Sequence, residues 1–176
     1  LYGDKGNTMY LQKCLPDAEF VTTGLNEKPL FLKENIDMVY MCSMSEKSQE
    51  LVLDRLMQYK DEIAACMKDG KALFLLVGNS MELLGDYIKR EDGTRVTGLG
   101  VVPGMYSVRQ TPNRFNTLIK AKFNDMTLIG YTSRFAHTYG IPDDMTFCKV
   151  EIGQGSNPDT MNEGICKNRV IATYIH

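Results

Sequence analysis

Two short apolar runs separated by one long helical pattern constrain the fold of this chain more than any other feature. The first run, IDMVYMC, covers residues 36–42, and the second, KALFLLV, covers residues 71–77. Between them, Ser43 and Glu46 have the spacing of a capping box, which predicts a helix that runs to about Met67. A buried strand, a helix and a second buried strand together predict a right-handed crossover in a parallel sheet.

The flanking segments extend the same alternation. TMYLQKCL at residues 8–15 has helical spacing, and EFVTT at residues 19–23 predicts a short strand. After the second apolar run, Asn79 or Ser80 is suited to cap a further helix that runs towards Arg90. This half of the chain therefore predicts a parallel α/β sheet.

The second half of the chain is rich in strands. A turn-rich segment begins at residue 91, and five later segments predict strands joined by tight turns: VVPGMYSVRQ, RFNTLIKAKF, DMTLIGYTS, FCKVEIG and RVIATYI. At 176 residues the chain is too short for two ordinary domains. We expect one α/β domain over residues 1–176, with additional β-structure from about residue 95 onward.

Composition excludes several classes of protein. The net charge is -2, with 43% hydrophobic and 24% charged residues, so no basic excess points to nucleic acid. The apolar runs are far shorter than the ~20 residues that a membrane helix needs. The five cysteines form no CxxC pair and neither of the two histidines lies beside a cysteine. The sequence thus predicts free thiols in a reducing cytoplasm, with no metal site and no cofactor.

Four stretches, in order, carry a resemblance to a known family. They are LYGDKGN at 1–7, GNSMELLG at 78–85, IGYTSRFAHTYG at 129–140 and GQGSNPDTMNEGICKNRVIATYIH at 153–176. Together they resemble successive landmarks of the class I glutamine amidotransferase-like family. Within it, the chain is most similar to cobyric acid synthase-type domains and to the glutaminase subunits of lipid II isoglutaminyl synthase.

The resemblance implies a fold, a reaction and a partner. The fold would be the three-layer, flavodoxin-like α/β domain of the class I amidotransferases, here without the family's first strand and C-terminal helix. Such enzymes hydrolyse L-glutamine with a cysteine on a strand-to-helix elbow, a histidine base and a glycine-rich oxyanion loop. The ammonia passes to a Mur-ligase-like synthetase, which amidates the glutamate of the peptidoglycan stem.

This sequence departs from the family pattern where the chemistry would take place. The family elbow aligns with the segment that ends at Gly85, and this alignment puts Gly78 at the position of the nucleophilic cysteine. Removing the nucleophile of a serine protease lowers the rate on the order of 10⁶-fold. The three glycines of the oxyanion loop are replaced by Cys42, Ser43 and Met44, and loss of one oxyanion donor costs ~10² to 10³ in rate. Two catalytic parts are therefore altered.

Of two further active-site positions of the family, one is changed in this chain and the other is kept. The histidine of the third landmark is replaced by Arg134, whose guanidinium could hold a carboxylate or could be an ordinary strand-end charge. His176 matches the catalytic base and would be a relic with no thiol to activate. We therefore expect a degenerate, non-catalytic subunit that binds or scaffolds the synthetase, with Cys42, Ser43 and Arg134 beside the substrate pocket.

Alternatives remain open at this stage. An active glutamine amidotransferase, or another hydrolase on the same scaffold, could use a relocated nucleophile, either Cys42 at the end of a buried strand or Ser80 on the elbow, together with His176. A third possibility is a sensor that keeps the glutamine pocket and holds a carboxylate through Arg134.

Overall fold

Three α-helices lie in the first part of the described chain. The computed structural model describes the backbone of residues 4–176 and the side chains from residue 6 onward, so the first landmark lies partly outside the described residues. The helices are α1 (Asp4–Cys14), α2 (Glu46–Met57) and α3 (Lys60–Asp69). None of the helices in the described chain has the length and apolar character needed to cross a membrane.

Eleven strands of the described chain form two sheets. The strands are β1 (Met38–Met41), β2 (Leu73–Val77), β3 (Tyr87–Lys89), β4 (Arg95–Thr97), β5 (Tyr106–Arg109), β6 (Phe115–Phe123), β7 (Met126–Arg134), β8 (Ala136–Tyr139), β9 (Thr146–Ile152), β10 (Asn162–Lys167) and β11 (Val170–Thr173). The larger sheet has the order β1-β2-β11-β10-β9-β6-β7, and the smaller sheet has the order β4-β3-β5-β8. The five strand segments predicted in the second half of the chain each contain a strand.

The parallel part of the larger sheet fixes the location of the site. Strand β2 pairs in parallel with β1 on one side and with β11 on the other. The carboxyl ends of these three strands therefore meet at one edge, which is where open α/β sheets bind ligands. Three segments follow directly from that edge: residues 42–44 after β1, the turn at Gly78 after β2, and residues 174–176 after β11.

The hydrophobic core explains why the two apolar runs become adjacent strands. Phe74 and Leu76 of β2 are buried, and the helices of the crossover bury Leu53, Ile63 and Met67 against the same cluster. Ile63 and Met67 are four residues apart on α3, so they lie on one face of that helix and pack on the sheet. The predicted crossover is confirmed, because β1 and β2 are parallel neighbours joined by α2 and α3.

The predicted helix from Ser43 to about Met67 is wrong in two respects. The segment forms two helices, because the backbone leaves helical geometry at Tyr59, with φ -112° and ψ 13°. The N-cap is Ser45, whose side chain accepts a hydrogen bond from the Ser48 backbone N–H at 3.2 Å. Ser43 thus lies before the helix and takes no part in capping it.

Two other predicted elements are also wrong. Residues 19–23 pair with no strand of the described chain, and Phe20 and Val21 remain 42% and 53% exposed. The predicted helix after Asn79 is instead a 3₁₀ turn, Gly78–Leu84, followed by strand β3. Six of the seven residues of this turn are buried, so it has no solvent-facing side of the kind that an amphipathic helix presents.

Candidate active site

Gly78 forms the turn at the end of β2 without a side chain and without room for one. Its φ of +68° lies in the left-handed region that glycine adopts without strain. A Cβ atom on this residue would overlap Ser43 Oγ and lie 2.9 Å from Ser43 Cβ. The same Cβ would lie 3.4 Å from His176 Cε1. The position aligned with the family nucleophile therefore faces the histidine, but Ser43 fills the space beside it.

Ser43 and His176 meet across the edge of the sheet. Ser43 Oγ lies 3.4 Å from His176 Nε2, although the two residues are separated by 133 positions in the chain. The backbone of His176 exchanges two hydrogen bonds with Tyr131, at 2.8 and 3.1 Å, and its ring stacks on the Tyr131 ring at 5.3 Å between centroids. The imidazole is thus held in one orientation beside the Ser43 hydroxyl.

The loop after β1 is fixed to the elbow by a pair of hydrogen bonds. The Met44 backbone N–H donates to Asn79 Oδ1 at 2.9 Å, and Asn79 Nδ2 donates to the Met44 carbonyl oxygen at 2.7 Å. This pairing holds Ser43 against Gly78. It also engages one backbone N–H of the loop that the sequence resemblance predicts to be the oxyanion loop.

The two nucleophiles considered from the sequence contact backbone carbonyl oxygens. Ser80 is fully buried, and its Oγ lies 2.9 Å from the Val77 carbonyl oxygen and 3.0 Å from that of Met41, to which it donates. Cys42 is half-buried, and its thiol faces the Ser43 carbonyl oxygen at 4.0 Å. The hydroxyl that the fold brings to the imidazole is that of Ser43, which sequence reasoning placed in the oxyanion loop but did not consider as a nucleophile.

Arg134 is a buried cation beside the same site. It is 3% exposed, and its Nη2 donates to the Gly155 carbonyl oxygen at 2.6 Å and to Gln154 Oε1 at 3.3 Å. The guanidinium also lies over the Tyr174 ring at 4.6 Å from its centroid. Burial lowers the pKa of Arg134. Its Nε and Nη1 atoms have no hydrogen-bond partner among the described residues.

A cavity of about 160 Å³ opens beside Ser43. It is also lined by Asn79, Arg114, Ser133 and Arg134. At about 30 Å³ per liquid water, this volume holds about five waters, enough for a small acyl group. The sequence-predicted residues Ser43 and Arg134 therefore share one cavity, with the elbow as part of its wall.

A buried polar network lies beneath the elbow. Glu82 is 2% exposed, and its two carboxylate oxygens accept hydrogen bonds from Gln49 Nε2 at 2.9 Å and from the Tyr174 hydroxyl at 2.9 Å. Burial raises the pKa of Glu82, and these two donors offset part of the rise. Because Tyr174 leads to His176, this network ties the 3₁₀ turn to the strand that carries the imidazole.

The raised pKa of Glu82 predicts how the free energy of unfolding depends on pH. A carboxyl whose folded pKa lies above its unfolded value of about 4.3 contributes stability that is lost as the pH rises through the folded pKa. Glu82→Gln removes that loss while keeping an amide oxygen as acceptor. We expect the variant to gain free energy of unfolding relative to wild type as the pH rises from 5 to 8, measured by urea unfolding.

The matched control for that measurement is Glu82→Ala, which leaves the Gln49 and Tyr174 donors without their acceptor. We expect it to lower the free energy of unfolding by about 1–3 kcal/mol at pH 5, where the wild-type carboxyl carries least charge. A constant difference between wild type and Glu82→Gln over the pH range would contradict the assigned pKa direction.

Comparison with known proteins shows the family and the fold to which this chain belongs. The family model described as the CobB/CobQ-like glutamine amidotransferase domain matches residues 10–176. The chain belongs to this family. A solved structure titled as a glutamine amidotransferase has a similar fold, with a TM-score of 0.55 and 11% identity over 79% of this chain and 69% of that one. The α/β fold expected from the sequence is confirmed.

Two curated relatives are similar over almost the whole chain. The lipid II isoglutaminyl synthase (glutamine-hydrolyzing) subunit GatD of Streptococcus pneumoniae is 27% identical over 179 residues, which cover 99% of this chain and 68% of the relative. The subunit of the same name from Staphylococcus aureus is 24% identical over 178 residues, which cover 100% of this chain and 72% of the relative. The resemblance predicted from four motifs is therefore confirmed.

Within this family, the site residues predicted from the sequence lie together, while their roles stay predictions. Gly78, Ser43 and His176 meet at one edge of the sheet, Arg134 lines the adjoining cavity, and Cys42 directly precedes Ser43. The contact between the hydroxyl and the imidazole was missed. Its only sequence signal was a serine in a loop where the family has glycine.

Proposed function

We propose that this chain is a degenerate amidotransferase-like subunit that acts in lipid II amidation as a non-catalytic binding or scaffolding partner of a Mur-ligase-like synthetase. The family membership and the two relatives support the pathway, since both relatives are named as subunits of lipid II isoglutaminyl synthase. Because these relatives are named as subunits, each works with a second chain, and we propose such a partner for this protein. The cysteines of the described chain are thiols rather than disulfides, which fits a reducing cytoplasm, and we place the protein there.

The observation that carries this proposal is the elbow. Thiol-dependent glutamine hydrolysis needs a cysteine at the turn after β2, and that residue is Gly78. Nor is the space beside it free, because Ser43 occupies the region that a Cβ would enter. The family's covalent reaction with glutamine has therefore lost its nucleophile, while the fold that presents the subunit to a partner is retained.

The alternative of an active glutaminase with Cys42 or Ser80 as nucleophile has weaker support. The Ser80 hydroxyl is buried and donates to backbone carbonyl oxygens. The Cys42 thiol faces the carbonyl oxygen of Ser43, and the hydroxyl of Ser43 lies between that loop and His176. L-Glutamine could still bind in the cavity, without being hydrolysed by a thiol.

The test is co-expression with the Mur-ligase-like synthetase of the same organism. We expect the two chains to co-purify and the complex to amidate lipid II with ammonium chloride as the nitrogen source but not with L-glutamine. Ammonia release from L-glutamine, measured for the chain alone and for the complex, should stay at background. Failure of the chains to co-purify would overturn the scaffolding role, and amidation with L-glutamine would overturn the loss of glutaminase activity.

A further inference from the structure

We propose that Ser43 is a nucleophile activated by His176, and that the pair hydrolyses small carboxylic esters by transferring their acyl group to water. This inference goes beyond the scaffolding role, which needs no reactive group at the site. It concerns a different residue, a different loop and a different substrate class from the thiol chemistry of the family.

The position of Ser43 is the first observation that supports the inference. Its Oγ occupies the region that the side chain of residue 78 would enter, so the hydroxyl lies where a nucleophile on the elbow would begin. The loop cannot swing away freely, because Met44 and Asn79 exchange two hydrogen bonds at 2.9 and 2.7 Å. A hydroxyl is thus held at the nucleophile position from the neighbouring strand.

The second observation is the base. Ser43 Oγ lies 3.4 Å from His176 Nε2, slightly longer than a catalytic hydrogen bond of about 2.6–3.2 Å but typical of a site without substrate. Stacking on Tyr131 orients the ring. Burial lowers the pKa of His176, so the imidazole is neutral at pH 7 and can accept the proton of the hydroxyl.

The third observation concerns the substrate. The cavity that Ser43 lines has a volume of about 160 Å³, which admits a short acyl chain. The Met44 backbone N–H is engaged by Asn79 Oδ1, so oxyanion stabilisation is weaker than in a glycine loop, where one donor is worth ~10² to 10³ in rate. Esters have a better leaving group than amides, so their cleavage tolerates weaker stabilisation of the oxyanion. This favours an ester over glutamine as substrate.

The proposed reaction has two steps. In the first, Ser43 Oγ bonds to the ester carbonyl carbon, its proton moves to His176 Nε2, and the bond to the alcohol oxygen breaks as that oxygen takes the proton from Nε2. In the second, a water molecule gives a proton to Nε2 while its oxygen attacks the acyl-serine. The carboxylic acid leaves, and the proton returns to Ser43 Oγ.

The test uses the full chain with two probes, p-nitrophenyl acetate and a fluorophosphonate directed at serine. We expect release of p-nitrophenol and a fluorophosphonate adduct that peptide mapping assigns to Ser43. Ser43→Ala and His176→Ala should each lower both signals at least about tenfold, since a positioned base contributes ~10² to 10⁴. The rate should rise with pH to a plateau, with an apparent pKa below the ordinary histidine value of about 6.5.

Two further variants keep the test decisive. Thr127→Ala is the control, because this exposed hydroxyl accepts a hydrogen bond from Lys122 Nζ at 2.6 Å and does not line the cavity, and we expect it to keep the reactivity. Ser43→Cys should react with iodoacetamide faster than the other cysteines, and a second change, His176→Ala, should slow it. Labelling at another residue, or full activity in Ser43→Ala, would overturn the proposal without affecting co-purification with the synthetase.

Discussion

Gly78→Cys alone is expected to give a destabilised protein without glutaminase activity, whereas Gly78→Cys combined with Ser43→Gly is expected to release ammonia from L-glutamine. The single variant places a Cβ onto Ser43 Oγ. It also puts a non-glycine residue at a φ of +68°. Overpacking and left-handed strain each cost about 1–3 kcal/mol, so we expect a loss of about 2–6 kcal/mol in the free energy of unfolding.

Removing the Ser43 side chain restores the space that a thiol needs. The new thiol would then lie beside the His176 imidazole, whose Cε1 is 3.4 Å from the Cβ position of residue 78. Because removal of a nucleophile costs on the order of 10⁶ in rate, we expect the double variant to exceed wild type by about 10²-fold or more. Ammonia release and urea unfolding of both variants measure the two effects.

Ser43→Gly without the cysteine is the control, since it opens the loop but supplies no thiol. It should release no ammonia from L-glutamine, and it should lose the ester reactivity proposed for Ser43. If the single Gly78→Cys variant equals the double variant in activity and stability, Ser43 does not obstruct the elbow, and the account of the lost nucleophile space is wrong.

Glu163→Ala is expected to lower the free energy of unfolding by about 2–4 kcal/mol, because two buried donors lose their acceptor. Glu163 is 0% exposed and accepts hydrogen bonds from Thr173 Oγ1 at 2.8 Å and from the Tyr174 backbone N–H at 2.7 Å. These contacts hold the end of β11, from which His176 extends. The same variant should therefore weaken the p-nitrophenyl acetate reaction, as measured beside urea unfolding at pH 7.

Glu151→Ala is the matched control for this effect. Its carboxylate is on the neighbouring strand β9, is 39% exposed and pairs with Lys120 at 2.8 Å. Exposed pairs of this kind contribute about 0.2–1 kcal/mol, so we expect a small change and an unaltered ester reaction. Equal losses in the two variants would show that the buried acceptor role of Glu163 has been overestimated.

The parallel part of the fold could be predicted from the sequence because its signals are local. The apolar runs at residues 36–42 and 71–77 and the helical pattern between them specify two strands and a covering crossover, although β1, the strand of the first run, is half-buried rather than buried as predicted. Strand β7 was likewise predicted from its own residues. The segment at residues 19–23 failed, because strand-forming composition needs a partner strand and the described chain offers none.

The candidate site depended on contacts that no local signal contains. The sequence by itself predicted that Gly78 stands where the family has a nucleophile, because that inference needs only an aligned turn. Only the tertiary structure decided that Ser43 faces His176, because the parallel pairing of β2 with β1 and β11 brings together residues 133 positions apart. It also decided that the Ser80 hydroxyl faces the backbone, since this fully buried side chain donates to the carbonyl oxygens of Val77 and Met41.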